Sequence, residues 1–67
     1  IKIFTGQKIK KIRENKGISQ QELADKITYL NQSQISKIEK GDRKVTDSDL
    51  LSIAKALNVS VSELITE

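Results

Sequence analysis

The sequence contains no Cys, His, Pro, Met or Trp, and its 67 residues include only one Phe and one Tyr. Without cysteine there is no disulfide and no thiol nucleophile, and without histidine the usual general base and a common metal ligand are missing. Carboxylates alone remain for catalysis, so we expect neither an enzyme nor a metal site. Nothing in the sequence indicates a cofactor or a small-molecule ligand, and with so few aromatic residues the core has to be aliphatic.

Long apolar runs are also missing. No stretch approaches the roughly 18 apolar residues that span a bilayer, and no signal-peptide pattern is present. The sequence therefore predicts a cytoplasmic protein that does not enter a membrane. A length of 67 residues leaves room for one small domain.

The charged residues are distributed unevenly along the chain. Residues 1–44 contain 11 of the 12 Lys and Arg residues and 5 acidic residues, whereas residues 45–67 contain 1 basic and 4 acidic residues. The net charge is therefore +6 over residues 1–44 and −3 over residues 45–67. A basic region favours a polyanionic partner such as nucleic acid, although an ordinary solvated surface would also account for this pattern.

Signals for helix starts and ends recur along the chain and predict an all-α fold. Capping residues followed by Glu, Gln or Asp three positions later lie at Ser19, Asn31, Thr46 and Ser60. Residue types that accept the left-handed conformation follow three of the predicted helices, at Gly17, Gly41 and Asn58. These signals predict five helices, at about residues 6–15, 20–27, 32–40, 47–57 and 61–65.

Apolar residues at helical spacing predict which helix faces are buried. The predicted core residues are Leu23, Ala24 and Ile27 of the second helix and Leu50, Leu51, Ile53, Ala54 and Leu57 of the fourth. Near the C-terminal end lie Val59, Val61, Leu64 and Ile65. We expect this last group to be half core and half the interface of a weak homodimer.

The second and third predicted helices are separated only by Thr28, Tyr29, Leu30 and the cap Asn31. Two short helices joined by so tight a turn must cross at a steep angle, as in a helix-turn-helix. The outward face of the third helix has no acidic residue and consists of Gln32, Ser33, Ser36, Lys37 and Lys40. These residue types bind base edges or phosphates when a helix lies in the major groove. An arbitrary solvated helix would have a similar face, but the tight turn and the basic region favour DNA binding.

Four blocks of the sequence carry a further pattern: GQKIKKIR at 6–13, KGISQQELA at 16–24, QISKIEKG at 34–41 and LLSIAKALNVS at 50–60. In order and spacing they resemble the Xre-like helix-turn-helix class, which includes lambdoid phage repressors and Cro proteins. The resemblance extends from residue 6 to residue 64. The turn before the third helix is one residue longer than the usual family spacing and lacks the glycine often found there.

The resemblance implies a five-helix, lambda-repressor-like DNA-binding domain over residues 1–67, of bacterial or phage origin. It implies either a complete regulator of transcription or the N-terminal domain of a longer one, and it favours a repressor. Such a domain binds operator DNA as a dimer with its third helix in the major groove. A helical protein-interaction module, with its basic face on an acidic partner, is the alternative function.

The resemblance also implies roles for individual residues. The implied base contacts are Gln32, Ser33, Ser36 and Lys37, and the implied phosphate contacts are Gln20, Asn31, Lys40, Arg43 and Lys44. It further implies a partly buried ion pair between Arg13 and Glu39, each of which lies about 40° from a core position on its helix. Two independent surface charges would instead contribute about 0 to 1 kcal/mol.

Overall fold

The computed structural model describes residues 5–65, and within that range the chain forms α-helices and no strand. The helices are α1 Thr5–Asn15, α2 Gln20–Asp25, α3 Gln32–Lys40, α4 Asp47–Leu57 and α5 Val61–Ile65. The predicted all-α fold is therefore confirmed. Only α2 departs clearly from its predicted bounds, because it ends at Asp25 rather than at residue 27.

Reciprocal capping boxes start three of the helices. At α2 the Ser19 hydroxyl accepts from the Glu22 N–H at 3.0 Å, while the Ser19 N–H donates to the Glu22 carboxylate at 2.9 Å. The same two bonds form in the pairs Asn31 with Gln34 and Thr46 with Asp49. At α5 only one half of the predicted box is present, because the Ser60 N–H donates to Glu63 Oε2 at 2.9 Å while the Glu63 N–H donates to the Ser60 carbonyl.

Three helices end in a left-handed residue, as predicted. Gly17, Gly41 and Asn58 have φ values of 69°, 83° and 59°. After Gly41 the Asp42 N–H donates to the Lys37 carbonyl at 2.8 Å, five residues earlier, and the Gly41 N–H donates to the Ile38 carbonyl at 3.1 Å. These are the two bonds that define a Schellman motif. Gly41 adopts this φ at no steric cost, because it has no Cβ.

The core is aliphatic and draws on every described helix. Its members are Ile9, Leu23, Ala24, Ile27, Leu30, Ile35, Ile38, Ile53, Ala54, Leu57 and Leu64. Ile27 and Leu30 lie in the turn between α2 and α3, and each is 5% exposed. Two buried side chains of the turn in the helix-turn-helix therefore pack into the core.

The prediction that Leu51 belongs to the core is wrong, because its side chain is 53% exposed. At 100° per residue Leu51 lies about 120° around α4 from Leu57, the middle of the buried face. Asp49, which is not among the predicted core residues, lies at the edge of the buried face of α4 and is 2% exposed.

The arrangement of the helices leaves one face of α3 open. Helix α3 packs against α1 and α2, whereas α5 packs against α1 and α4. Leu64 of α5 is fully buried while Ile65 is 56% exposed, so this helix divides between core and surface. None of the described helices is long and apolar enough to cross a membrane.

Candidate nucleic-acid interface

The outer face of α3 and the first residue of α2 line one open groove of about 420 Å³. Its lining residues are Gln20, Gln32, Ser33, Ser36, Lys37, Lys40 and Asp42. All of the predicted base-contact residues lie here, together with the predicted phosphate contacts Gln20 and Lys40. The fold thus brings the start of α2 next to the exposed side of α3.

The N-terminus of α3 is closed by Asn31, another predicted phosphate contact. Its Oδ1 accepts from the Gln34 N–H at 2.9 Å, and its own N–H donates to Gln34 Oε1 at 3.0 Å. The cap thus occupies the side-chain oxygen, which leaves the amide NH₂ as the group that can donate to a phosphate.

Arg13 and Glu39, predicted as an ion pair, do form one between α1 and α3. Arg13 donates from Nε to Glu39 Oε2 at 2.7 Å and from Nη2 to Glu39 Oε1 at 3.1 Å. Its Nη1 donates to the Ile18 carbonyl at 2.8 Å. The side chains of Arg13 and Glu39 are only 9% and 2% exposed. The hydrogen bond to Glu39 raises the pKa of Arg13, and burial opposes that rise only in part.

Gln20 belongs to the same network, a contact that the sequence did not indicate. Its Nε2 donates to Glu39 Oε1 at 3.0 Å, so one buried carboxylate binds side chains from α1 and α2 at once. The bond fixes the direction of the Gln20 amide at the edge of the groove. One N–H of this amide and its oxygen remain for an external partner.

The other two predicted phosphate contacts are placed differently. Arg43 turns toward α4, where its Nη2 lies 3.9 Å from Asp49 Oδ2 and its Nε is buried without a hydrogen-bond partner. Its side chain is 37% exposed. Lys44 is exposed. The structure therefore does not bring Arg43 and Lys44 to the groove on α3.

Asp42 is a groove residue that sequence reasoning missed. The chain turns back at Gly41, so the residue after it lies beside the last turn of α3. The sequence did contain the signal, because a left-handed glycine at the end of a helix predicts this reversal. A carboxylate at this place accepts hydrogen bonds, as from the amino group of cytosine, and repels phosphate.

The structure also links the turn to α4, a contact for which the sequence contains no signal. Tyr29 Oη lies 3.1 Å from Asp49 Oδ1 and 3.1 Å from Ser52 Oγ. The partners are 20 and 23 positions away along the chain. No helical periodicity relates residues so far apart, and the sequence pattern indicates only a capping role for Asp49.

Residues 9–64 match the sequence pattern of the helix-turn-helix family. The chain belongs to this family. The match runs from within α1 to α5, so it includes α2, the turn and α3. It confirms the resemblance that the four sequence blocks carry.

Individual relatives agree with the family assignment. The chain is 38% identical over 66 residues to control protein C.SmaI of Serratia marcescens, an alignment that covers 98% of this chain and 77% of that protein. Among solved structures, the fold is similar to the restriction-modification controller protein C.AhdI from Aeromonas hydrophila. That similarity has a TM-score of 0.84 at 34% identity and covers 91% of this chain and 87% of C.AhdI.

A second solved structure is similar over nearly the whole chain. The P22 c2 repressor, in complex with a synthetic operator, matches with a TM-score of 0.85 at 25% identity and 97% coverage of both chains. The five-helix, repressor-like fold predicted from the sequence is thereby confirmed.

Proposed function

We propose that this chain is a transcriptional regulator that binds double-stranded DNA sequence-specifically, with α3 in the major groove, and that it acts as a repressor. The observation that carries the proposal is the groove that is lined both by Gln20 and by the exposed side of α3. An α-helix fits the major groove, and a side chain at the start of the preceding helix then lies next to the phosphates.

In this proposal one group of residues contacts the bases and another contacts the phosphates. Gln32, Ser33, Ser36 and Lys37 read the base edges, because they line the groove on the outer side of α3. Gln20, Asn31, Lys40 and Lys44 bind phosphates. Arg43 joins this second group only by turning its guanidinium away from Asp49, so its contribution to affinity is smaller than that of Lys40.

The basic surface continues from α3 onto α1. Lys40 also lines a depression of about 450 Å³ that it shares with Gln7, Lys10, Lys11, Glu14 and Glu39. Positive side chains next to one another attract the DNA backbone and raise the rate of association.

The similarity to the P22 c2 repressor supports operator DNA as the partner, since that repressor was solved in complex with a synthetic operator. The controller proteins among the relatives support a role in regulation rather than in an enzymatic reaction. We further propose that residues 1–67 act as one DNA-binding domain in the cytoplasm. Two copies form a weak homodimer through the exposed part of α5, where Ile65 is 56% exposed.

Selection from a random duplex library tests the proposed function. The purified chain should enrich one sequence motif, and competition between that duplex and a scrambled duplex of equal length should show a preference of at least about 10³-fold for the motif. Absence of binding to any duplex in low salt would contradict the proposal and would favour a protein partner. Binding without a preference would contradict sequence-specific recognition alone.

A further inference from the structure

Asp49 is a buried carboxylate with polar partners from three segments of the chain. It is 2% exposed. Its Oδ2 accepts from the Thr46 N–H at 3.1 Å, which closes the cap of α4, and lies 3.9 Å from Arg43 Nη2. Its Oδ1 lies 3.1 Å from Tyr29 Oη. The capping role alone would use one oxygen, so the second oxygen is free to hold the turn before α3.

The Tyr29 hydroxyl carries one proton and has two polar neighbours at equal distance. Asp49 Oδ1 and Ser52 Oγ both lie 3.1 Å away. Hydrogen bonds to an ionised acceptor are stronger than those to a neutral one, so the phenol donates to Asp49. The Ser52 hydroxyl is then able to donate to the phenolic oxygen. Tyr29 as a whole is 49% exposed, so we expect the position of its side chain to depend on these polar contacts more than on packing.

These contacts lie at both ends of α3. Tyr29 is in the turn just before the Asn31 cap, and Arg43 is in the segment just after Gly41. One carboxylate therefore contacts the segment that enters α3 and the segment that leaves it. Asp49 is itself fixed in the first turn of α4 by the capping box. Its contacts therefore connect both ends of α3 to α4.

No left-handed cap at the end of α2 sets the direction of the turn before α3. Lys26, the residue that follows α2, lies in the right-handed region, with φ −85° and ψ −7°. Ile27 and Leu30 hold the turn to the core, but apolar packing restricts direction less than a hydrogen bond does. The bond between Tyr29 and Asp49 adds the directional restraint.

We propose that Tyr29, held by the buried Asp49 carboxylate, is a positioning residue that sets the orientation of α3 in the major groove and thereby its sequence preference. The inference rests on the proposed function, since it concerns the same groove. Base contacts require donor and acceptor atoms at about 2.7 to 3.2 Å. A long, flexible lysine side chain can still contact a phosphate when α3 is displaced by more than a base contact tolerates. Loss of the restraint therefore reduces sequence preference before it reduces general affinity.

Tyr29→Phe tests this inference, because it removes the hydroxyl and keeps the ring. Ser52→Ala is the matched control, since it removes the other hydroxyl near Tyr29 Oη and leaves the bond to Asp49. The probes are the duplex that the unmodified chain selects from a random library and a scrambled duplex of the same length. For Tyr29→Phe we expect the ratio of the two affinities to fall about five- to tenfold. Affinity for the scrambled duplex should stay within about twofold, and Ser52→Ala should leave the ratio unchanged.

A measurement on the free protein separates positioning from a general loss of folding. Amide chemical shifts of residues 31–34 and of Arg43 should change in Tyr29→Phe and remain in place in Ser52→Ala. Equal losses on both duplexes, or shift changes spread over all helices, would mean that the hydroxyl supports only folding. A loss of preference in Ser52→Ala as large as that in Tyr29→Phe would assign the restraint to Ser52 and overturn the role of Asp49.

The result for the unmodified chain distinguishes the two proposals. If that chain shows no preference for any duplex, the proposed function fails and this inference fails with it. If the chain is selective and Tyr29→Phe is equally selective, only the positioning role is overturned.

Discussion

Arg13 of α1 donates two hydrogen bonds to Glu39 of α3, at 2.7 and 3.1 Å, across 26 positions of the chain. Both side chains are almost fully buried. When one of them is removed, water therefore does not replace it as a partner for the charge that remains. Gln20 donates to the same carboxylate at 3.0 Å. Through the Glu39 carboxylate, Arg13 and Gln20 thus join α1 and α2 to α3.

We expect Arg13→Met and Glu39→Gln to destabilise the domain by on the order of 3 kcal/mol each, because each leaves a buried charge without its partner. The double variant should lose much less than the sum of the two. Thermal or urea unfolding of the three variants measures the coupling energy, which is the difference between the loss in the double variant and the sum of the two single losses. Small and additive losses would show that water reaches the pair. In a domain of this size, which has only a few kcal/mol to spare, the single variants should also melt well below the unmodified chain.

Gln32 is the residue that we expect to contribute most to sequence preference. It follows the Asn31 cap, so its side chain leaves the first turn of α3, and it is exposed in the groove. A glutamine amide can form a bidentate pair with adenine, worth about 1 to 3 kcal/mol of discrimination. Gln32→Ala should therefore weaken the preferred duplex and leave random DNA nearly unaffected in a competition titration.

Ser33→Ala is the matched comparison for Gln32→Ala. Ser33 is the next residue of α3 and lines the same groove. If Ser33→Ala lowers the specificity ratio and Gln32→Ala does not, the base-reading position lies one residue further along the helix.

Affinity for DNA should depend steeply on salt. Each phosphate that the protein neutralises contributes a slope of about −0.9 to log K against log salt, so a dimer with roughly 6 to 10 such contacts loses about three to five decades between 50 and 200 mM. Lys40→Ala should flatten the slope by about one contact on specific and random duplexes alike. Lys55→Ala is the control, because Lys55 is exposed on α4, outside the basic surface. A flat salt dependence would contradict the assigned phosphate contacts.

Dimer formation should depend on Ile65, which is 56% exposed, and not on its neighbour Leu64, which is fully buried. We expect Ile65→Ser to shift the monomer–dimer equilibrium toward monomer without lowering the thermal midpoint measured on dilute protein. Leu64→Ala should lower the midpoint, since truncation of a buried Leu costs about 2 to 5 kcal/mol. Sedimentation equilibrium of the chain and both variants measures the association. An unchanged dimer in Ile65→Ser would place the interface elsewhere.

Local features of the fold are predictable because their signals lie within a few residues. The cap at Ser19 and the left-handed end at Gly41 each depend on bonds over short sequence distances, so the sequence alone indicates both. The prediction for Leu51 is wrong, because apolar character alone does not locate the middle of a buried face. The predicted end of α2 is also two residues late, since buried Ile27 continues the apolar pattern beyond the helix.

Contacts between distant segments are predictable only where the family resemblance supplies them. The pair of Arg13 and Glu39 is predicted on that basis. The contacts of Gln20 with Glu39 and of Tyr29 with Asp49 are not, because each joins polar side chains about 20 positions apart. No spacing rule relates such residues, and only the crossing of the helices brings them together.

The separation between supporting and exposed residues along α3 has a consequence for redesign. Ile35, Ile38 and Glu39 are buried and hold the helix in place, whereas Gln32, Ser33 and Lys37 are exposed. Exposed substitutions away from caps and networks usually change stability by less than about 0.5 kcal/mol. These three outward positions of α3 are thus free to vary while the scaffold stays intact, and under the proposed function we expect their exchange to change the DNA sequence that the domain prefers.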